Sequence, residues 1–173
     1  MKKVVIIGAG ASGLITAIYA KRNGNDVILI EKNEICGRKI LATGNGRCNY
    51  WNKDQSLSHY RGSNLKNIED ILNAKNEEEI LMFFRKIGIE PKIKNGYYYP
   101  MSEQAASVID VLQSELYKRN VKLITDFHIT RMHRKDDKFI IKGNNKEIIA
   151  DKLIIATGGK SAAKTGSDGS GYS

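Results

Sequence analysis

Gly8, Gly10 and Gly13 stand in G-x-G-x-x-G spacing directly after the apolar run 4–7, and Glu31 closes a second apolar run 21 residues beyond Gly10. Each residue type at that spacing has a use. Gly8 permits a tight turn out of a strand. Gly10 carries no side chain, so backbone can approach a diphosphate closely. Gly13 lets a following helix pack against the strand. With Ala11 and Ser12, these residues place unpaired helix N–H groups and a positive dipole end where phosphate would sit. A carboxylate at the position of Glu31 accepts hydrogen bonds from an adenosine ribose, and its charge repels a 2′-phosphate. The chemistry is that of a site for FAD or NAD in preference to NADP.

Such residues must be carried by a βαβ unit, and the pattern supplies one. A strand is expected over 4–7, a helix over about 12–23 that stops at Gly24, and a strand over 27–30. Residues 35–52 read as an ordered loop with one short helical turn, and 53–62 as polar and exposed. Helices follow over 65–74 and 77–87. Asn76 serves as N-cap of the second, Glu79 completes a capping box, and Gly88 stops it. Residues 89–101 read as extended. Ser102 opens a third long helix to about 119, with Val108, Leu112 and Leu116 as its apolar stripe. Strands are expected at 121–124, 128–133, 138–142, 147–149 and 153–156, with turns at Asp136-Asp137 and Gly143-Asn144-Asn145. The fold class is therefore α/β: a Rossmann-like parallel sheet with helices on one face and a three-stranded β-meander crossover on the other. The last strand runs into Ala156-Thr157-Gly158-Gly159, which places a second glycine cluster beside the first.

Composition narrows the function. The chain has 173 residues, with 28 Lys and Arg against 19 Asp and Glu, a net charge of +9. The cations are interspersed with acids, as in 131–138, and no nucleic-acid motif is present, so no nucleic-acid partner is expected. No apolar stretch is long enough to span a bilayer, and no membrane role is expected. Cys36 and Cys48 form neither a disulfide framework nor a metal site. They are expected as reduced thiols in a cytoplasmic protein.

Three stretches are specific enough to point to a family. The first is Gly37-Arg38-Lys39-Ile40-Leu41-Ala42-Thr43-Gly44-Asn45-Gly46-Arg47-Cys48-Asn49. The second is Tyr99-Pro100-Met101-Ser102-Glu103-Gln104-Ala105-Ala106-Ser107-Val108. The third is Ala156-Thr157-Gly158-Gly159 with Gly166-Ser167-Asp168-Gly169-Ser170-Gly171-Tyr172. Together with the glycine turn they resemble the aminoacetone-oxidase-like, BaiN/YhiN-type family of bacterial flavoproteins over essentially the whole chain. The chain departs from that pattern at Ala162-Ala163, where the family carries a proline, and at Cys36 and Trp51.

The resemblance implies FAD as cofactor. Gly8, Gly10, Ala11, Ser12 and Gly13 would cradle the pyrophosphate, and Glu31, with Lys32 beside it, would hold the ribose. Arg38 and Lys39 would lie near the ribose and phosphates. Thr43, Gly44, Asn45, Arg47, Cys48 and Asn49 would approach the flavin, with Arg47 the cation at its N1/C2 carbonyl. Ile129 would offer backbone to the adenine, and Ala156, Thr157, Gly158 and Gly159 would pass the nucleotide from the second cluster. Beside this stands the ordinary reading of Arg38, Lys39 and Arg47 as solvated loop cations, of Cys48 as a small buried residue, and of the tyrosine run as packing.

The activity implied is a flavin-dependent oxidoreductase acting on a small-molecule substrate. It is either a reductase fed by NAD(P)H, of the 3-dehydro-bile-acid type among others, or an amine oxidase. Family members are more than twice this length, so the chain is expected to be the amino-terminal part of the FAD-binding domain. The substrate domain and a flavin-closing segment would be absent. An NAD-dependent dehydrogenase domain and a non-catalytic nucleotide-binding fragment stand as alternatives. No catalytic residue and no oligomeric state is assigned.

Overall fold

The structure is a computed structural model that describes residues 1–74, 77–161, 163–169 and 171. The apolar run within Lys3–Ile7 forms β1, buried at its last four positions, Ala11–Arg22 forms α1 and Asp26–Ile30 forms β2. Strands β1 and β2 pair in parallel with Val4 opposite Val27 and Ile7 opposite Ile30. A parallel pair requires a crossover, and α1 is that crossover. Asn23 caps α1 and Gly24, at φ +71°, turns the chain back.

The chain divides into two units, 1–42 with 112–173, and 43–111. In the first, Lys122–Ile124 (β6) joins β2 and Lys152–Ile155 (β10) joins β1, giving a four-stranded parallel sheet in the order β10-β1-β2-β6. Side chains alternate across it. Val5, Ile7, Ile28 and Ile30 share one face and form a core with Phe127, Ile141 and Ala150. The last two belong to an antiparallel meander of Ile129–Lys135 (β7), Lys138–Gly143 (β8) and Lys146–Ala150 (β9). Helix α1 packs on β1 and β2 through Leu14, Ala17 and Ile18, all fully buried. The expected fold class is thus observed, meander included. Its two hairpin turns place Asp136-Asp137 and Asn144-Asn145 at positive φ, the geometry that matches strand twist in tight hairpins.

The second unit holds Trp51–Asn52 (β3), Pro91–Lys94 (β4) and Tyr97–Pro100 (β5), a small antiparallel sheet in the order β3-β5-β4. The run expected only to be extended is therefore a hairpin, closed by Asn95-Gly96. Helices α3 (Leu65–Ala74) and α4 (Glu77–Lys86) lie where periodicity puts them. The expected N-cap Asn76 lies outside the described residues. Helix α5 (Ala105–Lys118) starts later than expected. Ser102 does not open it, because Glu103 sits at φ +52°, which a right-handed helix cannot contain. The short turn expected within 35–52 is α2, Arg38–Ala42.

Candidate functional site

The carboxyl ends of β1, β2 and β10 meet at the two glycine clusters. Ala156 N donates to Ile7 O at 2.8 Å, and Gly8 N donates to Ile30 O at 2.7 Å. Gly8 has φ +99°, and a β-carbon there would lie 2.5 Å from Ala156 O. One on Gly13 would lie 1.8 Å from Gly8 O. Both glycines are demanded by the protein's own packing. Gly10 is different: a β-carbon there would meet nothing within 4 Å. It is the N-cap of α1, offers no side-chain cap, and no acidic residue follows in the first turn. The first-turn N–H groups of α1, on Ala11, Ser12 and Gly13, thus have no capping side chain. A close-approaching diphosphate is the group that would use both the missing side chain and these donors.

Ala9, beside Gly10, is fully buried and has both backbone groups engaged. Its carbonyl accepts from Gly37 N at 2.8 Å and its N–H donates to Glu31 Oε2 at 2.8 Å. Glu31 is a buried acid, 8 % exposed. Its Oε1 accepts from Asn33 N at 2.9 Å and from Asn33 Nδ2 at 2.6 Å. Asn33 Oδ1 in turn accepts from Arg38 Nη1 at 2.9 Å. Asn33 was not anticipated, and no sequence signal marks it. Lys39 is tied to the second glycine region, donating to Ser161 O at 2.6 Å and to Ser167 Oγ. Lys32 pairs with Asp168 at 2.9 Å on the surface.

A cavity of about 260 Å³ opens at these strand ends, lined by Gly8, Glu31, Lys32, Phe127, His128, Ile129 and Thr157, with Gly166, Asp168 and Gly171 from the following loop. The structure thereby brings together Gly8, Glu31, Lys32, Ile129 and Thr157, from segments far apart in sequence. Ile129 enters at a break in register between Ile129 and Arg131 in β7. Such bulges re-aim side chains beside sites. Ala156 packs on Gly8 and Gly13, Gly158 faces Ser167, and Gly159 is half-buried beside them. Gly166 and Asp168, quoted in the third family stretch but given no contact there, join the lining, as do Phe127 and His128, which were assigned no role.

Thr43, Gly44, Asn45, Arg47, Cys48 and Asn49 form a loop within the second unit. Gly44 has φ +57°, and a β-carbon there would lie 2.7 Å from Asn49 N and 3.2 Å from the Tyr99 ring. Cys48 N donates to Thr43 O at 3.0 Å. The Cys48 thiol is buried, and burial pushes its pKa up while a hydrogen bond with Thr43 opposes the rise. Asn45 and Cys48 also have positive φ. Asn49, with its amide oriented to suit its neighbours, donates to Trp51 O at 2.7 Å and Tyr98 O at 3.2 Å. Arg47 donates to Gly44 O at 3.2 Å, lies 4.9 Å over the Tyr99 ring, and faces Glu103 at 3.9 Å. Tyr98 and Tyr99 are buried, consistent with the packing reading of the tyrosine run.

The HI0933-like protein Rossmann domain family matches residues 2–173. The 3-dehydro-bile acid delta(4,6)-reductase of Clostridium scindens is 41% identical over 174 residues, 99% of this chain and 42% of that protein. A ribosomal RNA dihydrouridine synthase of Escherichia coli is 30% identical over 168 residues, 97% of this chain and 42% of that protein. The chain thus spans less than half the length of these relatives. Among solved structures, the 3-ketosteroid-delta4-(5alpha)-dehydrogenase of Rhodococcus jostii superposes with a TM-score of 0.65 at 18% identity. That match covers 91% of this chain and 46% of the dehydrogenase, and it shows the shared fold. Among the described residues no helix is long and apolar enough to cross a membrane.

Proposed function

The chain belongs to the HI0933-like Rossmann-domain family, and on that premise we propose that it binds FAD as the cofactor-holding portion of a flavin-dependent oxidoreductase. The observation that carries this reading is Gly10. Its neighbours Gly8 and Gly13 are glycine because protein atoms leave no room, whereas Gly10 faces open space at a helix start. A glycine there serves a ligand. FAD, when bound, supplies hydride transfer through flavin N5.

The chain's own residues bind and orient. Gly10, Ala11 and Ser12 receive the pyrophosphate on backbone N–H groups. Glu31 accepts from the adenosine ribose at the cavity it lines. Arg38, joined to Glu31 through Asn33, and Lys39, at the Ser161–Ser167 loop, add positive charge around the phosphates. Ile129 and Thr157 bound the adenosine side of the cavity.

For the whole protein we propose a small-molecule substrate of the 3-dehydro-bile-acid type, with NAD(P)H as electron donor. The 41% identity to the bile-acid reductase, against 30% to the RNA-modifying relative, supports the small molecule over RNA. Two unpaired, buried thiols support a cytoplasmic setting.

The test is the visible spectrum of the purified chain after incubation with FAD and desalting. A yellow protein that releases FAD on denaturation is the expected result. A colourless protein that binds NADH, or one that binds neither nucleotide, overturns the reading.

A further inference from the structure

We propose that Asn33 is the positioning residue of the nucleotide site. It holds the Glu31 carboxylate and the Arg38 guanidinium apart, and so sets the preference for an unphosphorylated ribose. The inference rests on the reading of this cavity as an adenine-dinucleotide site.

The argument begins with the carboxylate. An ionised carboxylate has about four acceptor positions. Ala9 N fills one on Oε2, and Asn33 N and Nδ2 fill two on Oε1. About one acceptor position remains, on a residue that lines the cavity. Glu31 therefore meets the ribose with its orientation fixed by three donors, none of them a cation.

Lys32, at the cavity, pairs with Asp168, and Arg38 is the further cation that could undo this. An arginine close to the ribose-binding acid is the group that accommodates a 2′-phosphate in dinucleotide sites. Arg38 Nη1 instead donates to Asn33 Oδ1 at 2.9 Å, and no carboxylate pairs with Arg38 among the described residues. The amide performs two tasks at once. Its Nδ2 donates to the acid and its Oδ1 accepts from the base, which neither a carboxylate nor an apolar side chain can do. The Asn33 carbonyl also accepts from Asp126 N at 3.0 Å, so its backbone is pinned to the segment entering the cavity. Without the amide, Arg38 is free to turn onto Glu31 or onto a 2′-phosphate, and either removes the repulsion that excludes one.

The experiment measures the affinity of the full chain for 5′-AMP and 2′,5′-ADP, which differ only in the 2′-phosphate, by titration calorimetry, with a thermal melt of each variant. The wild-type chain is expected to prefer 5′-AMP. Asn33→Ala should narrow that preference about tenfold, the loss of a hydrogen bond to a charged group. In Asn33→Ala/Arg38→Gln the wild-type ratio should return at lower affinity for both probes, since no freed guanidinium remains. A merely structural role for Asn33 would lower both affinities equally, and that result overturns the inference. Where Asn33→Ala does not fold, Arg38→Gln alone carries the test. A ratio within about twofold of wild type is expected, and a larger change shows that Arg38 already reads the phosphate and overturns it. A wild-type chain that binds neither probe overturns the dinucleotide reading itself, whereas binding with an unchanged ratio in Asn33→Ala overturns only this inference.

Discussion

Gly8 and Ala156 lock the two glycine clusters together: a β-carbon at Gly8 would lie 2.5 Å from the Ala156 carbonyl oxygen. Gly10, two residues on, has no such neighbour. The two positions should therefore respond in opposite ways. Gly8→Ala meets both a backbone clash and a φ of +99°, and should cost roughly 2–4 kcal/mol of stability. Gly10→Ser places a good N-cap in open space and should leave stability unchanged or raise it by a few tenths of a kcal/mol. Its side chain nonetheless enters the proposed diphosphate approach, so FAD affinity should fall about tenfold or more. Urea melts and FAD titrations of both variants check this, and a Gly10→Ser protein with undiminished FAD affinity would remove the ligand reason for that glycine.

Glu31 is both a ribose acceptor in the proposed function and a fastener of the glycine turn. Replacing it with alanine leaves the buried Ala9 N–H without its acceptor. Glu31→Ala should thus lose about 2–3 kcal/mol of stability in the absence of cofactor, the cost of an unsatisfied buried donor and a lost charge-assisted bond. FAD retention should fall as well. The two effects separate when affinity is measured well below the melting temperature. An unfolding midpoint equal to wild type would show that the carboxylate does not hold the turn.

The parts of the molecule governed by local pattern were legible in the sequence. The strands beside α1, the meander turns at Asp136-Asp137 and Asn144-Asn145, and the meeting of the two glycine clusters follow from periodicity, turn chemistry and the rule that parallel strands end together at a ligand edge. The Asn95-Gly96 hairpin was also readable, since this dipeptide favours positive φ at both positions. It was hidden by the bulky run Tyr97-Tyr98-Tyr99, which reads as extended without naming a partner. Asn33 and Glu103 were not legible. The role of Asn33 depends on Glu31 and Arg38 pointing the same way after β2. Glu103 leaves the helical region because Lys92 and Lys94, on the far strand of a hairpin, bind its carboxylate. Tertiary partners overrode what local spacing suggested for Ser102.

Tyr50 carries a buried hydroxyl with no hydrogen-bond partner among the described residues, while its ring stacks 4.4 Å from Phe84. Burial pushes its phenol up to about 12. Tyr50→Phe keeps the ring contact and removes the orphaned group, and should stabilise the protein by about 1 kcal/mol. The sign of the alkaline effect follows. A folded-state pKa raised above the unfolded value of about 10 gives stability that is complete below pH 10 and lost as pH rises toward 12. Tyr50→Phe should lose less stability over that window, as read by thermal melts at pH 9 to 12. A destabilised variant would indicate that the hydroxyl is bonded after all.

Glu103 has the converse behaviour. Lys92 and then Lys94 hydrogen-bond its carboxylate and hold it down from 4.5 to about 2, and Arg47 adds a third cation at 3.9 Å. Its folded pKa lies below its unfolded one, so the stabilisation is complete above about pH 4.5 and is lost as pH falls toward 2. The carboxylate is partly exposed, so salt should weaken the effect. Glu103→Gln removes the charge but leaves the backbone at φ +52°, and should therefore lower the melting temperature near neutrality, where the ionic stabilisation is complete, and flatten its fall between pH 5 and 2. Melts in low and high salt separate the ionic part from the geometric one. If wild type and variant fall in parallel on acidification, the three cations do not stabilise the turn that delays α5 to Ala105, and the conformation of Glu103 must be held by the Ser102 and Ser107 hydroxyls that bond across it at 2.6 Å.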